Sequence, residues 1–204
     1  MSATFTPDSA PVLLQALRTS TGQSHVRLEK RMPFFTPSLD AALYRRLLEA
    51  YYGFYRPLET ALVASGLMPA SLMPEERMKT PALVADLEAL GLSDVDILQL
   101  PHCEQLPVID SPGACLGVMY VLEGATLGGQ LLRREVHARI GLDEHSGARF
   151  LDVYGATTGK RWKAFLNHLQ VAPRDPRAIE AAALAAQSTF TRFEHWLDAR
   201  KVLS

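Results

Sequence analysis

The chain has 204 residues, 48% of them hydrophobic, enough to bury one core without staples, so one domain over 1–204 is expected. Its 21 Lys and Arg nearly cancel its 22 Asp and Glu, which leaves no global field to draw nucleic acid or an anionic membrane. Two cysteines, Cys103 and Cys115, without a CxxC or paired Cys/His spacing suggest neither a disulfide framework nor a zinc site and point to a reduced cytoplasm.

The opening MSATFTPDSAPV has no basic start and no apolar h-region, no stretch reads as a membrane span, and residues 1–9 are expected to be flexible. Strand signals are scarce and spacings of three and four dominate. A first helix starts near Ser9 to Pro11 and lines up Leu13, Leu14, Leu17, Thr21, His25 and Leu28, which puts His25 on its apolar face. Thr36-Pro37-Ser38 opens a long second helix with Leu43, Leu47, Tyr51, Phe54, Leu58 and Leu62 as its stripe and a bend expected at Pro57. Thr80-Pro81 opens a shorter helix that Gly91 stops. Leu92 to Asp110, with Pro101 and Pro107, shows no sustained periodicity, and Ser111-Pro112 then starts a segment running to Gly141. Two more helical patterns cover roughly Gly147 to Leu169 and Pro176 to Leu203. The class that follows is all-α, with helices in succession and no repeat or low-complexity linker.

Within the segment ending at Gly141, GVMYVLEGATLGGQLLRREV carries Gly117, Gly124, Gly128 and Gly129 among strong helix formers. Each interior glycine costs about 0.5–1 kcal/mol relative to alanine. Two readings compete: close packing of helices through small residues, and bare backbone presented to a flat ligand. Four glycines favour the ligand. On the first helix Glu29 follows His25 by four residues, so its carboxylate lies on the same face and can orient the imidazole, leaving one neutral nitrogen for a metal. A histidine of this kind is more often a satisfied core residue unless something else in the chain supports it.

TGQSHVRLE followed about a hundred residues later by YVLEGATLGGQ resembles the proximal and distal helices of the heme oxygenase family. The likeness spans most of the chain, including Trp162, Lys163 and Phe165 and the terminal Phe190, Phe193, Trp196 and Leu197. It is strongest to bacterial enzymes that supply biliverdin to bacteriophytochromes. The resemblance implies a single helical bundle with heme between a proximal and a distal helix, His25 as the axial iron ligand and Glu29 as its neighbour. It implies Gly124 and Gly128 as the distal backbone over the heme, with Gly129 beside them. Arg18 and Lys163 match positions that seat propionates, with Tyr120 and Arg161 as further candidates.

Heme is then both substrate and cofactor, opened with O2 to biliverdin, CO and ferrous iron. GATLGG lies inside a helix and does not follow a strand, so it is no dinucleotide fingerprint, and electrons are expected from a ferredoxin or a reductase. Biliverdin has a bacteriophytochrome as its expected recipient.

The chain departs from the family pattern twice. Ala125 stands where many members carry an aspartate that organises water near O2, and Asn167 where some carry a second propionate-binding arginine. Thr126 beside Ala125 is expected to bond its own backbone. His102, His137, His145, His168 and His195 remain unassigned. Three competitors stand beside the oxygenase: a non-catalytic heme carrier of the same fold, a thiaminase-like enzyme using a cysteine, and an interaction scaffold whose glycines only permit close packing.

Overall fold

The computed structural model describes residues 12–172 and 175–204. The expected flexible stretch 1–9 and the start of the first helix at Ser9 to Pro11 lie outside the described residues. Among those described there is no strand, and eight α-helices follow one another: α1 (Val12–Arg31), α2 (Ala41–Ser65), α3 (Thr80–Ala89), α4 (Asp94–Leu98), α5 (Pro112–Gly124), α6 (Gly129–Ile140), α7 (Thr158–Val171) and α8 (Pro176–Ala199).

The alanine-rich α8 is the spine, packed against both α1 and α5, while α7 touches α1, α5 and the 3₁₀ turn Ala125–Gly128. Gly113 and Gly117 explain how closely α5 lies on α8: a side chain there would put its Cβ 2.4 and 2.1 Å from the carbonyls of Ala178 and Ala182. For Gly117 the helix-packing reading is therefore the right one, and it faces no ligand. Central α2 buries Tyr44, Leu47, Tyr51, Phe54, Tyr55, Leu58 and Leu62. It also lends Glu59 to the start of α3, where no residue of α3 caps its own helix. The Glu59 carboxylate accepts from the backbone N–H groups of Lys79 (2.6 Å) and Thr80 (3.0 Å), satisfying donors that a helix start leaves orphaned.

Several boundaries differ from expectation. The second helix begins at Ala41 because Asp40, in extended backbone, accepts from Leu43 N–H at 2.7 Å, and it continues through Pro57 as one helix. The unassigned stretch Leu92 to Asp110 holds α4, five residues long and opened by a Ser93/Asp96 capping box, too short to show periodicity. The pattern from Gly147 becomes a helix only at Thr158, because Gly147 (φ 119°) and Gly155 (φ 51°) sit in left-handed backbone that ends regular structure. Pro112–Ile140 is long and apolar enough to cross a membrane by length and composition, contrary to expectation. Half of that apolar stretch is buried within the bundle, and it breaks at Ala125–Gly128.

Candidate functional site

His25 sits at the edge of the buried stripe of α1, with its side chain 53% exposed. Its Nε2 lies 3.5 Å from Glu29 Oε1, an electrostatic contact too long for a strong hydrogen bond. The flank of the ring is met by Phe190 of α8, edge-on at 5.7 Å between centroids. An imidazole with an aromatic wall, a carboxylate neighbour and an open side can take a metal axially once neutral.

The second element that the motifs single out is the 3₁₀ turn Ala125–Gly128 joining α5 to α6. The sequence motif places four glycines near it, and the structure separates their roles. A Cβ on Gly128 would meet nothing within 4 Å, and one on Gly124 would meet only Trp162 Cη2 at 4.0 Å. Gly129 points the other way: its Cβ would fall 1.6 Å from the carbonyl oxygen of Leu151. Its lack of a side chain is thus dictated by packing, and the expectation that it contacts a cofactor is corrected to that extent. On the open side Leu127 and Leu131 are 49% and 56% exposed, as is Val26 next to His25 at 49%. An imidazole, bare backbone at Gly124 and Gly128 and unburied apolar side chains fit a planar apolar group carrying a metal.

Behind the turn lies a cavity of about 40 Å³, space for a few waters. Tyr51, Tyr55, Lys79 and Thr126 border it, together with the solvent-exposed Ala125. Tyr51 and Tyr55 are 9% and 3% exposed, and among the described residues no protein group bonds either hydroxyl. Burial pushes both phenols well above their usual range, so both stay protonated and able to donate. Thr126 Oγ1 donates to Glu123 O at 2.7 Å, the backbone bond expected of it.

Just before the turn, Glu123 is buried between two cations. Arg77 Nη1 donates to Oε2, and Lys79 Nζ to Oε1 at 2.6 Å. Lys79 Nζ also reaches Arg77 O (2.8 Å) and Tyr154 OH (3.0 Å), and Tyr154 OH donates to Glu123 Oε1 at 2.9 Å. Every Lys79 proton is therefore used, which buried charge requires. Nothing in the sequence pattern marks this cluster, because its members come from three separated segments.

Arg18 on α1 and Lys163 on α7 are exposed, on two helices that pack together. Tyr120 is half-buried and lies 5.9 Å from the Trp162 ring, so it reaches the site through Trp162. Arg161 is committed elsewhere: Nη2 holds Glu76 Oε2 at 2.8 Å and the guanidinium covers the Tyr154 ring at 4.8 Å, which removes it as an anion ligand. Trp162 against Gly124 and Phe190 against His25 are wall residues that the motifs named only as part of a pattern. Cys103 and Cys115 are both buried and free, and burial pushes both thiols up, the opposite of an activated nucleophile.

The family model described as heme oxygenase matches residues 12–199. A heme oxygenase from Leptospira interrogans superposes with a TM-score of 0.75 at 21% identity, covering 92% of this chain and 98% of that one. Heme oxygenase-1 from the cyanobacterium Synechocystis, solved in complex with heme, gives 0.76 at 17%, covering 92% and 91%. The Neisseria meningitidis heme oxygenase, solved with NO and CO bound, gives 0.71 at 21%, covering 94% and 93%. No curated protein sequence matches.

Proposed function

This chain belongs to the heme oxygenase family, and from that premise we propose that it binds heme between α1 and the Gly124–Gly128 turn and opens it to biliverdin. The observation that carries the reading is the split among the glycines: Gly124 and Gly128 leave backbone bare toward open space while their neighbours are packed. Heme, when bound, supplies the iron that takes up O2 and is itself the molecule cleaved, yielding biliverdin, CO and ferrous iron.

The chain's own part is to hold and to protonate. One ring nitrogen of His25 would hold the iron while Glu29 and Phe190 fix the ring. Gly124 and Gly128 would let backbone lie close against the group, and Leu127 and Leu131 would exclude water there once it is bound. Arg18 and Lys163 bring positive charge for the propionates, with Tyr120 at the wall through Trp162. Ala125 cannot organise distal water as an aspartate would. Water in the cavity at Ala125, held by the protonated hydroxyls of Tyr51 and Tyr55, takes over proton delivery. Electrons come from a separate ferredoxin or reductase, and the product passes to a bacteriophytochrome in the cytoplasm. Asn167 offers no charge to a propionate, so Arg18 and Lys163 would be the cations that hold that part of the group.

The test is the absorption spectrum of the protein with one equivalent of hemin, beside His25→Ala, before and after reductant and O2. The expected result is a ligated-heme spectrum that needs His25 and decays to a biliverdin band. Stable heme under the same conditions would make the protein a carrier, a reading that the missing carboxylate at Ala125 favours. No defined heme band at all would defeat both.

A further inference from the structure

At about 3.6 residues per turn, the buried stripe of α1 (Leu14, Leu17, Thr21, Ser24, Leu28) has two edges. His25 lies on one and Arg27 and Arg31 on the other. Helix α8 grips both. Its residues 190, 194 and 198, four apart, meet α1 in chain order. Phe190 stands edge-on to His25. Glu194 accepts from Arg27 Nε at 3.1 and 2.9 Å, from Arg27 Nη2 at 2.5 Å and from Arg31 Nη1 at 3.1 Å. Asp198 pairs with Arg31 Nη2.

Glu194 is 5% exposed although it stands beside a helix whose cations reach solvent. Leucine or methionine would cover the same spot without desolvating a carboxylate, and buried pairs of this kind add little net stability. What they supply is geometry, because a guanidinium bound to both oxygens of one carboxylate tolerates little rotation. Burial alone would raise the Glu194 carboxyl, yet the hydrogen bonds from Arg27 and Arg31 hold it below its ordinary range.

We infer that Glu194 is the positioning residue for His25: by holding Arg27 and Arg31 it fixes the rotation of α1 about its axis, and with it the direction the imidazole faces. The inference rests on the reading of His25 as heme ligand, but its mechanical half does not. Freed from Glu194, α1 keeps its apolar stripe on α8 and can roll over that stripe, carrying the ring away from Phe190.

The experiment compares wild type, Glu194→Gln and Arg27→Gln. Arg27 is exposed, so its variant folds even where a change at buried Glu194 does not. Two readouts are taken. In the metal-free protein, NMR cross-peaks between the His25 and Phe190 rings report the grip directly. In the hemin complex, the iron–histidine stretching band of the reduced form and the hemin Kd report what the grip does. The expected result is cooperative melting in both variants, weakened ring cross-peaks, a broadened or shifted stretching band and a Kd about 10- to 100-fold weaker, the usual cost of losing a group that orients a ligating histidine. Arg27→Lys, which keeps charge but not the fork, falls between. Folded variants with wild-type cross-peaks and a wild-type band would overturn the inference. If the wild type binds no heme, the function proposed above falls, while the cross-peaks still decide whether Glu194 holds the ring.

Discussion

Alanine at Gly128 and at Gly129 should act with opposite signs. At Gly128 the backbone is ordinary right-handed helix (φ −83°, ψ −9°) and a Cβ meets nothing within 4 Å, so Gly128→Ala gains helix propensity of about 0.5–1 kcal/mol. For a chain of this size that raises the melting temperature of the heme-free protein by about 1–4 °C. The same methyl group projects into the side where heme is placed, so hemin affinity and turnover should fall. At Gly129 the methyl would lie 1.6 Å from the Leu151 carbonyl oxygen and 2.8 Å from its carbon. Backbone cannot rotate aside as a flexible side chain can, so Gly129→Ala costs at least about 3 kcal/mol, the upper end for overpacking. Calorimetry of the heme-free variants and a hemin titration separate the two effects. A Gly128→Ala protein more stable than wild type with unchanged hemin affinity and biliverdin yield would show that this glycine does not face the ligand, and the assignment of the distal surface would be wrong.

Replacing both Tyr51 and Tyr55 by phenylalanine removes two hydroxyls without protein partners, so unfolding free energy should stay within about 1 kcal/mol of wild type while single-turnover biliverdin formation slows about 100-fold, the low end for a placed proton donor; an unchanged rate would remove that cavity from proton delivery. Glu123→Gln leaves Arg77 and Lys79 buried without their anion and should cost about 3–5 kcal/mol in urea unfolding; a loss under about 1 kcal/mol would mean that water reaches the cluster. Asp86 is buried, which raises its carboxyl from 3.8 to about 6 against the opposing bonds from the Phe150 and Arg149 N–H groups. The folded state therefore holds that proton more tightly than the unfolded one, and the associated stability is present below pH 3.8 and lost as pH rises through about 6. The difference in unfolding free energy between wild type and Asp86→Asn should fall over that window and flatten above it; a difference independent of pH would contradict the assignment.

Fold class was legible because α1, α2, α5 and α8 carry long apolar stripes, and periodicity reports long stripes well. It fails where structure is set by a few atoms. Ser93 and Asp96 start α4 with two reciprocal bonds, and Gly147 and Gly155 end a helical pattern through positive φ that their letters alone do not reveal. For the candidate site, the motifs pointed to His25 and the glycine turn but could not say which way each glycine faces. Gly117 and Gly129 read like Gly124 and Gly128, and only the carbonyls of Ala182 and Leu151 tell them apart. Arg161 stands beside Lys163 in the sequence, yet its guanidinium turns to Glu76 and Tyr154. Long-range partners of this kind have no local signature.

The same limit explains where the charged residues matter. Among the described residues the two buried carboxylates with paired cations, Glu123 and Glu194, sit on α5 and α8, one just before the Ala125–Gly128 turn and the other four residues after Phe190. Each ties its helix to segments distant in sequence: Glu123 to Arg77, Lys79 and Tyr154, and Glu194 to Arg27 and Arg31. Apolar contacts hold helices together but permit rolling and sliding by a fraction of a residue, whereas a carboxylate shared between two cations does not. A ligand sandwiched between two helices needs the imidazole on one side and the bare backbone on the other to keep one spacing and one rotation. Placing a charge clamp beside each face meets that need without putting a charge against the apolar ligand.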